Sequence, residues 1–375
     1  MRKISEGPVR PEQPGGLVKY GLSRALVLLL ILLIAPYLTI AVMNWEGALD
    51  RMRESQIRWE VVIRVYEDPD LQELPPAEMQ RLIDERVQKE YRRHGLDQPF
   101  IRRNFIHLWR AITLDLGRSD AMMSDTGSRQ ARTILAERVR PTALLFGVAM
   151  LALFAVSVPV GLLLSSVSRG RGRFLDRLGT RLAPISAAPG WFYLILLMII
   201  FPAVLGWLPW GGMAPVPPPV DRGEYVLSVL RHLVLPVSGI LLGSVFVAIY
   251  SWRTFFVGHS NDEQVEPPRG SESSMGTVDR GSFLRPTPPR VVTYFLVLVT
   301  SLMMGSIIVE VIFNWPGLGR LLHQAIQMNA TPVILGSLVI YGYVLAFLTV
   351  MVFLLDFLDV WLIQRRGWVA AQGGK

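Results

Sequence analysis

The ionisable residues in apolar surroundings are the first candidates for chemistry in this chain. Glu310 is the one acid within a long apolar run, about one turn from its end, and Asp356 and Asp359 stand at the end of another run. An ionisable group inside a membrane is a candidate for function because its burial in hydrocarbon is costly. The positions of these three near the ends of apolar runs favour a solvated or helix-end charge instead.

Motifs for catalysis and metal binding are missing from the sequence. It contains no phosphate-binding loop, nucleophile elbow or zinc-protease motif, and its five histidines show no ligand spacing. The absence of cysteine excludes disulfides, thiol chemistry and cysteine-ligated metals. We therefore expect no enzyme activity, no cofactor and no metal, and any uphill transport would draw its energy from another protein.

The elements that must position these residues are apolar runs long enough to cross a bilayer. About 20 residues, each adding about 1.5 Å, cross a hydrocarbon core of ~30 Å, and 51% of the residues are hydrophobic. The first run is too long for a signal peptide and no cleavage site follows it, so we interpret it as a retained anchor. We predict an all-α integral membrane protein with six transmembrane helices, at roughly 25–43, 142–167, 183–208, 233–252, 291–313 and 332–355.

The distribution of Lys and Arg predicts the orientation of these helices. Residues 1–24 carry five basic residues, 165–181 carry five and 364–375 carry three, whereas 209–232 carry two and 314–331 carry one. Because the basic segments fall on alternate sides, both terminal tails are predicted to be cytoplasmic. The net charge of +8 follows mostly from this pattern, and no basic run interleaved with aromatic residues points to nucleic acid.

A polar segment, 44–141, follows the anchor at 25–43 and is predicted to be an extracytoplasmic α-helical domain. The remaining five helices form a core at 142–363. Within the polar segment, 75–95 has the start, end and periodicity of an amphipathic helix. The apolar positions of that helix share one face: Met79, Leu82, Ile83, Val87 and Tyr91.

A second amphipathic segment is 98–117, in which Phe105, Leu108, Trp109 and Ile112 line one side and arginines lie elsewhere. Two placements are equally compatible with this pattern. The segment lies in the membrane interface with its apolar side in the lipid, or it packs on the rest of the extracytoplasmic domain.

Two glycines in the fourth predicted span, Gly239 and Gly243, form a small-xxx-small pattern. Such a pattern lets the backbones of two membrane helices approach closely, although it also occurs by chance. We predict a helix-packing role for both glycines.

Six motif-like segments follow one another along the chain: LDLGRS at 114–119, ILAERVRPT at 134–142, RGRFLDR at 171–177, LGWLP at 205–209, HLVLP at 232–236 and VEVIFNWPGLGR at 309–320. In this order they resemble motifs of the inner-membrane permease subunits of ABC importers for oligopeptides, dipeptides and nickel. The resemblance covers roughly 95–256 and 290–362.

This resemblance implies a type I importer permease fold with six spans in the bacterial inner membrane, and the transport of a small solute such as a peptide. The expected partners are a homologous second permease, two ATPase subunits and an extracytoplasmic substrate-binding protein. In that family, the segment matching 309–320 is a turn and helix near the outer mouth of the pathway, where the binding protein docks. The residues that the resemblance assigns to this turn are Glu310, Trp315, Pro316, Gly317, Gly319 and Arg320.

The cytoplasmic connection 258–290 departs from the family pattern. Permeases of the family carry a coupling helix there, which sits in a groove of the ATPase, but five prolines exclude a continuous helix in this connection. Two hypotheses stay open: a working permease half with divergent coupling, or a permease-derived structural or accessory subunit that has lost ATPase coupling. A weak remnant of the coupling motif comprises Asp279, Arg280, Gly281, Phe283 and Leu284.

Overall fold

The structure, a computed structural model, is helical wherever it describes regular elements, apart from one isolated bridge between Arg118 and Gln130. The prediction of an all-α protein is therefore confirmed for the described residues. The coupling remnant at 279–284 and residues 166–181 of the basic segment 165–181 lie outside them. The described residues are 14–72, 74–165, 188–262, 288–303 and 305–373.

The helices are longest where the sequence is apolar. Pro76 opens α3 and Gly95, with a φ of +72°, follows its end, as expected from the roles of proline and glycine at helix termini. A 3₁₀ turn at Pro69–Leu71 and a π-helical segment at Ile199–Leu205 supplement the helices. The helices are α1 Pro14–Met43, α2 Ala48–Tyr66, α3 Pro76–Arg93, α4 Phe100–Ile112, α5 Ala131–Ser165, α6 Gly190–Met198, α7 Arg222–Asp262, α8 Pro288–Met303, α9 Ser306–Ile312, α10 Leu318–Gln327 and α11 Thr331–Gly373.

Within the described residues, four helical segments are long and apolar enough to cross a membrane. Shorter apolar helices, Gly190–Leu205 and Pro289–Thr300, lie in the two remaining predicted runs. The count of six spans thus stays a prediction. The four long segments are Gly21–Met43, Ala131–Ser165, Arg222–Phe256 and Thr331–Leu362.

The chain divides into two compact units. The second unit comprises Leu22–Val139 and Leu321–Ala346. The first unit comprises Met1–Gly21, Arg140–Arg320 and Phe347–Lys375.

The core of the first unit forms where α5, α6 and α7 meet α9 and the residues after it. Small residues allow a close approach of α6 and α7. A Cβ on Gly239 would overlap the side chain of Leu194, and a Cβ on Gly243 would lie 3.1 Å from Cα of Gly190. The buried apolar side chains of this core are Leu145, Phe146, Ala149, Met150, Leu194, Leu197, Val229, Leu233, Leu235, Val237, Ile240, Val309, Phe313 and Trp315.

A second apolar cluster in the first unit surrounds Trp252 of α7, whose side chain is fully buried. Its ring meets that of Phe154 in α5 edge to face, with the centroids 6.2 Å apart, and stacks on Phe256 at 5.8 Å. Gly161 of α5 lies directly against the backbone of α7 at this point. The absence of a side chain there lets the two long helices come together around the aromatic rings.

In the second unit, α2 and α3 pack against each other through apolar side chains. The apolar face predicted for 75–95 is confirmed, since all five of its residues belong to this contact. Ile57, Val61, Val65, Ile83 and Val87 are buried, and Met79, Leu82 and Tyr91 are among the partly buried side chains packed on them.

A buried polar cluster in the second unit joins the end of α1 to α2 and α4. The Asp50 carboxylate accepts a hydrogen bond from Nδ2 of Asn44 at 3.2 Å, pairs with Arg103 at 3.1 Å and lies 2.8 Å from Nε2 of His107. Asn44 also donates to Oδ1 of Asn104, at 2.9 Å. Burial lowers the pKa of His107 below its ordinary value, and the opposing effect of the Asp50 carboxylate does not offset it.

We expect Gly161→Ala to destabilise the first unit. A Cβ at this position would lie 2.5 Å from Cβ of Trp252 and 3.2 Å from the backbone N of Arg253, so α5 and α7 would have to separate. Overpacking of this kind costs about 1–3 kcal/mol of unfolding free energy. The matched control is Gly147→Ala in the same helix, where nothing lies within 4 Å of the added methyl group. Thermal unfolding in detergent should show a lower midpoint for Gly161→Ala alone, and equal midpoints for the two variants would contradict the packing argument.

We also expect the second unit to lose stability as the pH falls below the ordinary pKa of histidine. The folded pKa of His107 is lowered, so the unfolded chain binds the proton more readily and acid shifts the equilibrium towards unfolding. The unfolding temperature should therefore drop as the pH falls through about 6.5, the ordinary pKa of histidine, towards the lower pKa of the folded state. His107→Gln keeps an amide donor towards Asp50 but cannot titrate, so it should flatten this dependence.

His94→Gln is the comparison for that experiment, because burial also lowers the pKa of His94, whose side chain is one-third exposed. Its effect on the pH dependence should be smaller than that of His107→Gln. A pH dependence that is the same in wild type and His107→Gln would show that His107 does not carry the effect.

Candidate functional site

The Glu310 carboxylate in α9 is fully buried and accepts three hydrogen bonds. Its Oε1 accepts from the hydroxyl of Thr142 at 2.7 Å, and its Oε2 accepts from the backbone N–H groups of Gly319 at 2.6 Å and Arg320 at 3.1 Å. The sequence favours a solvated or helix-end charge at this position; the carboxylate lies near the end of α9, but it is buried and not solvated. A buried carboxylate needs partners of this kind, because a buried charge without hydrogen bonds is strongly unfavourable.

The two backbone bonds to Glu310, together with one to Thr142, provide the N-terminal cap of α10. The first N–H groups of any helix lack partners within the helix. Here the N–H of Leu318 donates to Oγ1 of Thr142 at 2.7 Å, while the next two donate to Glu310. The carboxylate also lies at the positive end of the helix dipole, which favours an anion. The carboxylate and the hydroxyl therefore act as one capping group supplied from outside the helix.

The turn 314–317, called here the NWPG turn, brings α10 back onto Glu310. Asn314 has a φ of +51°, a left-handed conformation that asparagine tolerates better than most residues. The N–H of Trp315 donates to the backbone O of Glu310 at 2.8 Å. A Cβ on Gly317 would overlap the Glu310 carboxylate. The turn thus requires glycine at that position because the acid occupies the space of a side chain.

Trp315 attaches the NWPG turn to α5. Its side chain is fully buried in the core of the first unit, and its Nε1–H donates to the backbone O of Pro141 at 2.9 Å. Pro141 precedes Thr142, the residue that bonds Glu310 and Leu318. Two segments separated by more than 160 residues, which contain separate family-like motifs, therefore form one hydrogen-bonded site.

The loop that follows α6 and the π-helical segment Ile199–Leu205 also contacts the NWPG turn. The N–H of Gly212 donates to the backbone O of Phe313 at 2.8 Å. A Cβ on Gly211 would overlap that same oxygen, so the loop can approach only with glycine there. Two aromatic side chains of this loop, Trp207 and Trp210, are largely exposed.

The other residues predicted for this turn lie at its rim. Pro316 and Arg320 are half-buried, and the guanidinium of Arg320 donates to the backbone O of Asn314 at 3.1 Å. The arrangement holds a backbone shape. No group of three or more His, Cys, Asp or Glu side chains that could hold a metal ion occurs in the described part of the chain.

The sequence also favours a solvated or helix-end charge at Asp356 and Asp359, yet both lie well inside α11, which continues to Gly373. Asp359 is instead buried and forms an ion pair with Arg290, the third residue of α8. The interpretation is therefore wrong for Asp359, while Asp356 is half-buried. The Asp359–Arg290 pair fixes α8, at the point where it emerges from the connection 258–290, to the last helix.

Sequence reasoning assigned no role to Thr142, although the residue ends a family-like segment. Its hydroxyl both donates to Glu310 and accepts from Leu318. A threonine directly after a proline within an apolar run is a weak local signal for such a role. Its bonding partners lie 168 and 176 residues further along the chain, where no local pattern can indicate them.

The sequence is similar to known membrane transport components. Residues 157–367 match the family described as "Binding-protein-dependent transport system inner membrane component". A Brucella abortus protein provisionally named a peptide transport system permease protein is 30% identical over 260 residues, which are 69% of this chain and 78% of the relative. The glutathione transport system permease proteins of Salmonella paratyphi A and Salmonella typhimurium are each 30% identical over 251 residues, 66% of this chain and 74% of the relative.

We expect Thr142→Val to destabilise the first unit, because it removes one hydroxyl at nearly constant volume. The N–H of Leu318 and Oε1 of Glu310 would then lose a partner in a buried site, which costs about 1–3 kcal/mol per unsatisfied group. Thr142→Ser keeps the hydroxyl and is the matched control. Thermal unfolding in detergent should rank wild type and Thr142→Ser together, well above Thr142→Val. A Thr142→Val midpoint equal to that of wild type would mean that the capping network is not stabilising.

Proposed function

Because the chain belongs to the family of binding-protein-dependent transport system inner membrane components, we propose that it forms half of the translocation pathway of an importer for peptides or similar small solutes. The chain is the permease component of such an importer and a multi-pass membrane protein. ATP hydrolysis in ABC importers belongs to partner subunits. The names of the relatives, which refer to peptide and glutathione transport, support a small peptide as the cargo class.

The observation that carries the proposal is the attachment of the NWPG turn to the start of the membrane part of α5. A buried acid contributes little net stability, since desolvation offsets much of its attraction to its partners. What the network supplies is a fixed position, because α10 can begin only where Glu310 and Thr142 meet its N–H groups. We infer that the NWPG turn and α10 form a rigid element at the extracytoplasmic mouth of the pathway, against which a binding protein docks.

The proposed topology has six spans with both tails in the cytoplasm of a bacterium, in the inner membrane. Residues 44–141 would then lie outside, together with the NWPG turn. The connection 258–290 would lie inside, where the ATPase subunits bind. Permeases of this family generally work with a second permease, ATPases and a substrate-binding protein, and we propose the same assembly for this chain.

The connection 258–290 leaves one alternative open, in which the chain is a structural or accessory subunit without ATPase coupling. The proline-rich sequence of this connection favours the alternative. The capped turn favours the transporter, because an accessory subunit would have no need of a positioned docking element. The two differ in which proteins accompany the chain in the membrane.

We expect the full chain, purified from its native membrane in mild detergent, to elute with a second permease and two ATPase subunits in constant ratio. Mass spectrometry of the eluate measures this composition directly. Unrelated membrane proteins in constant ratio, without any ATPase, would overturn the transporter proposal and favour the accessory subunit.

The coupling role of the connection has its own test in the same complex. Phe283→Pro should abolish ATP-driven uptake in proteoliposomes if the remnant at 279–284 contacts the ATPase, because proline cannot continue a helical contact. Ser273→Pro, in the same connection but outside the remnant, is the matched control and should leave uptake unchanged. Undiminished uptake by Phe283→Pro would exclude the remnant as the coupling element while leaving the transporter proposal in place.

A further inference from the structure

Helix α4 of the second unit buries two polar side chains, beside Leu108 and Ala111, and exposes a row of apolar ones. Asn104 and His107 are buried, whereas Ile101, Phe105 and Trp109 are 65%, 56% and 69% exposed. These three residues are spaced four apart, so they form one continuous stripe along the helix. A helix on a water-soluble domain shows the opposite pattern, with its apolar stripe turned to the core.

Ile112 extends this stripe by a further turn and is also exposed. Leu108, which the sequence pattern grouped with Phe105, Trp109 and Ile112, is instead buried. The exposed surface of α4 is therefore almost wholly apolar or aromatic. Burial of such a surface is favourable in proportion to its area, so an environment other than water is expected to cover it.

The position of α4 identifies this environment. Its middle lies against the end of α1, one of the long apolar helices. The rings of Phe105 and Tyr37, a residue of α1, are 4.7 Å apart, and Asn104 accepts a hydrogen bond from Asn44 just beyond the end of α1. The side chains of this apolar part of α1 are themselves mostly exposed, as expected for a helix that faces lipid. The stripe on α4 thus continues the lipid-facing surface of α1.

The end of α4 is held by a second long apolar helix. The hydroxyl of Tyr343 in α11 donates to the backbone O of Ile112. Trp45, which follows α1 and is 80% exposed, meets Phe100 edge to face with the ring centroids 6.5 Å apart. Tyr and Trp are enriched where membrane helices reach the interface. Trp45 at the start of α4 and Tyr37 at its middle are therefore interfacial types of side chain near the end of α1.

Basic groups flank the stripe. Arg102 is exposed at its edge, and Arg110 is half-buried beside Asp115. An amphipathic helix with aromatic residues on one side and arginines beside them is typical of helices that lie in the plane of a membrane interface. We propose that α4 is such a helix, with Ile101, Phe105 and Trp109 inserted between the lipid headgroups and the acyl chains. The polar cluster around Asp50 then faces the protein rather than the lipid.

The experiment uses the natural absence of cysteine from the chain. Single cysteines replace Ile101, Phe105 and Trp109 in the full chain, which is purified with the subunits that co-elute, labelled with an environment-sensitive fluorophore and placed in lipid nanodiscs. Matched controls are Glu85→Cys and Gln88→Cys on the exposed side of α3. Each label is then quenched by lipids brominated close to the headgroup and, separately, by aqueous iodide.

We expect quenching by brominated lipid at the three α4 positions to be several-fold stronger than at the two α3 controls, and the ranking for iodide to be reversed. Equal quenching of α4 and α3 labels by iodide would show that the stripe faces water, and the proposal would be overturned. Protection of the α4 labels from both quenchers would show that another protein covers the stripe, which also overturns it. All replaced side chains are exposed, so loss of the fold is not expected to obscure the comparison.

Discussion

The geometry around the NWPG turn depends on the hydrogen bonds that the buried Glu310 carboxylate accepts. The carboxylate caps α10, it excludes a side chain from Gly317 and it bonds the hydroxyl at the start of the apolar part of α5. Each of these effects follows from one requirement, that a carboxylate out of water must be surrounded by donors. Several residues of the segment 309–320 therefore serve to bury one acid, either by donating hydrogen bonds to it or by leaving room for it.

The same requirement explains why segments distant in sequence are held together with fixed geometry. Apolar contacts alone are poorly directional, and within a bilayer they distinguish weakly between a helix neighbour and lipid. Hydrogen bonds from Thr142 and from the N–H groups of α10 to the carboxylate specify one arrangement. The bond from Trp315 to Pro141 and the bond from Gly212 to Phe313 extend it to α5 and to the loop after α6.

Local pattern predicted much of the fold and little of this site. The helices and the α2–α3 contact follow from periodicity and from proline and glycine at helix ends, which are local properties of the chain. Because Glu310 and Asp359 lie close to the ends of their apolar runs, the sequence favours charges in contact with solvent. In the structure both carboxylates are buried, and their bonding partners come from other helices. Hydropathy cannot register a hydrogen-bond donor supplied from a residue 168 positions away. For the same reason the local signal for a role of Thr142 is weak.

Each unit buries a polar cluster beside its apolar core and exposes some apolar side chains, and one physical cause accounts for this. When the solvent is hydrocarbon, apolar side chains gain little by leaving it, whereas polar groups gain by meeting one another. Close helix contacts then depend on small residues, as where Gly161 meets the backbone beside Trp252 and Gly243 meets Gly190. The Glu310 network and the Asp50 cluster supply the polar contacts. Helix α4 lies outside the predicted spans, yet it also exposes apolar side chains and buries polar ones. This pattern is the physical reason for assigning α4 to the membrane interface.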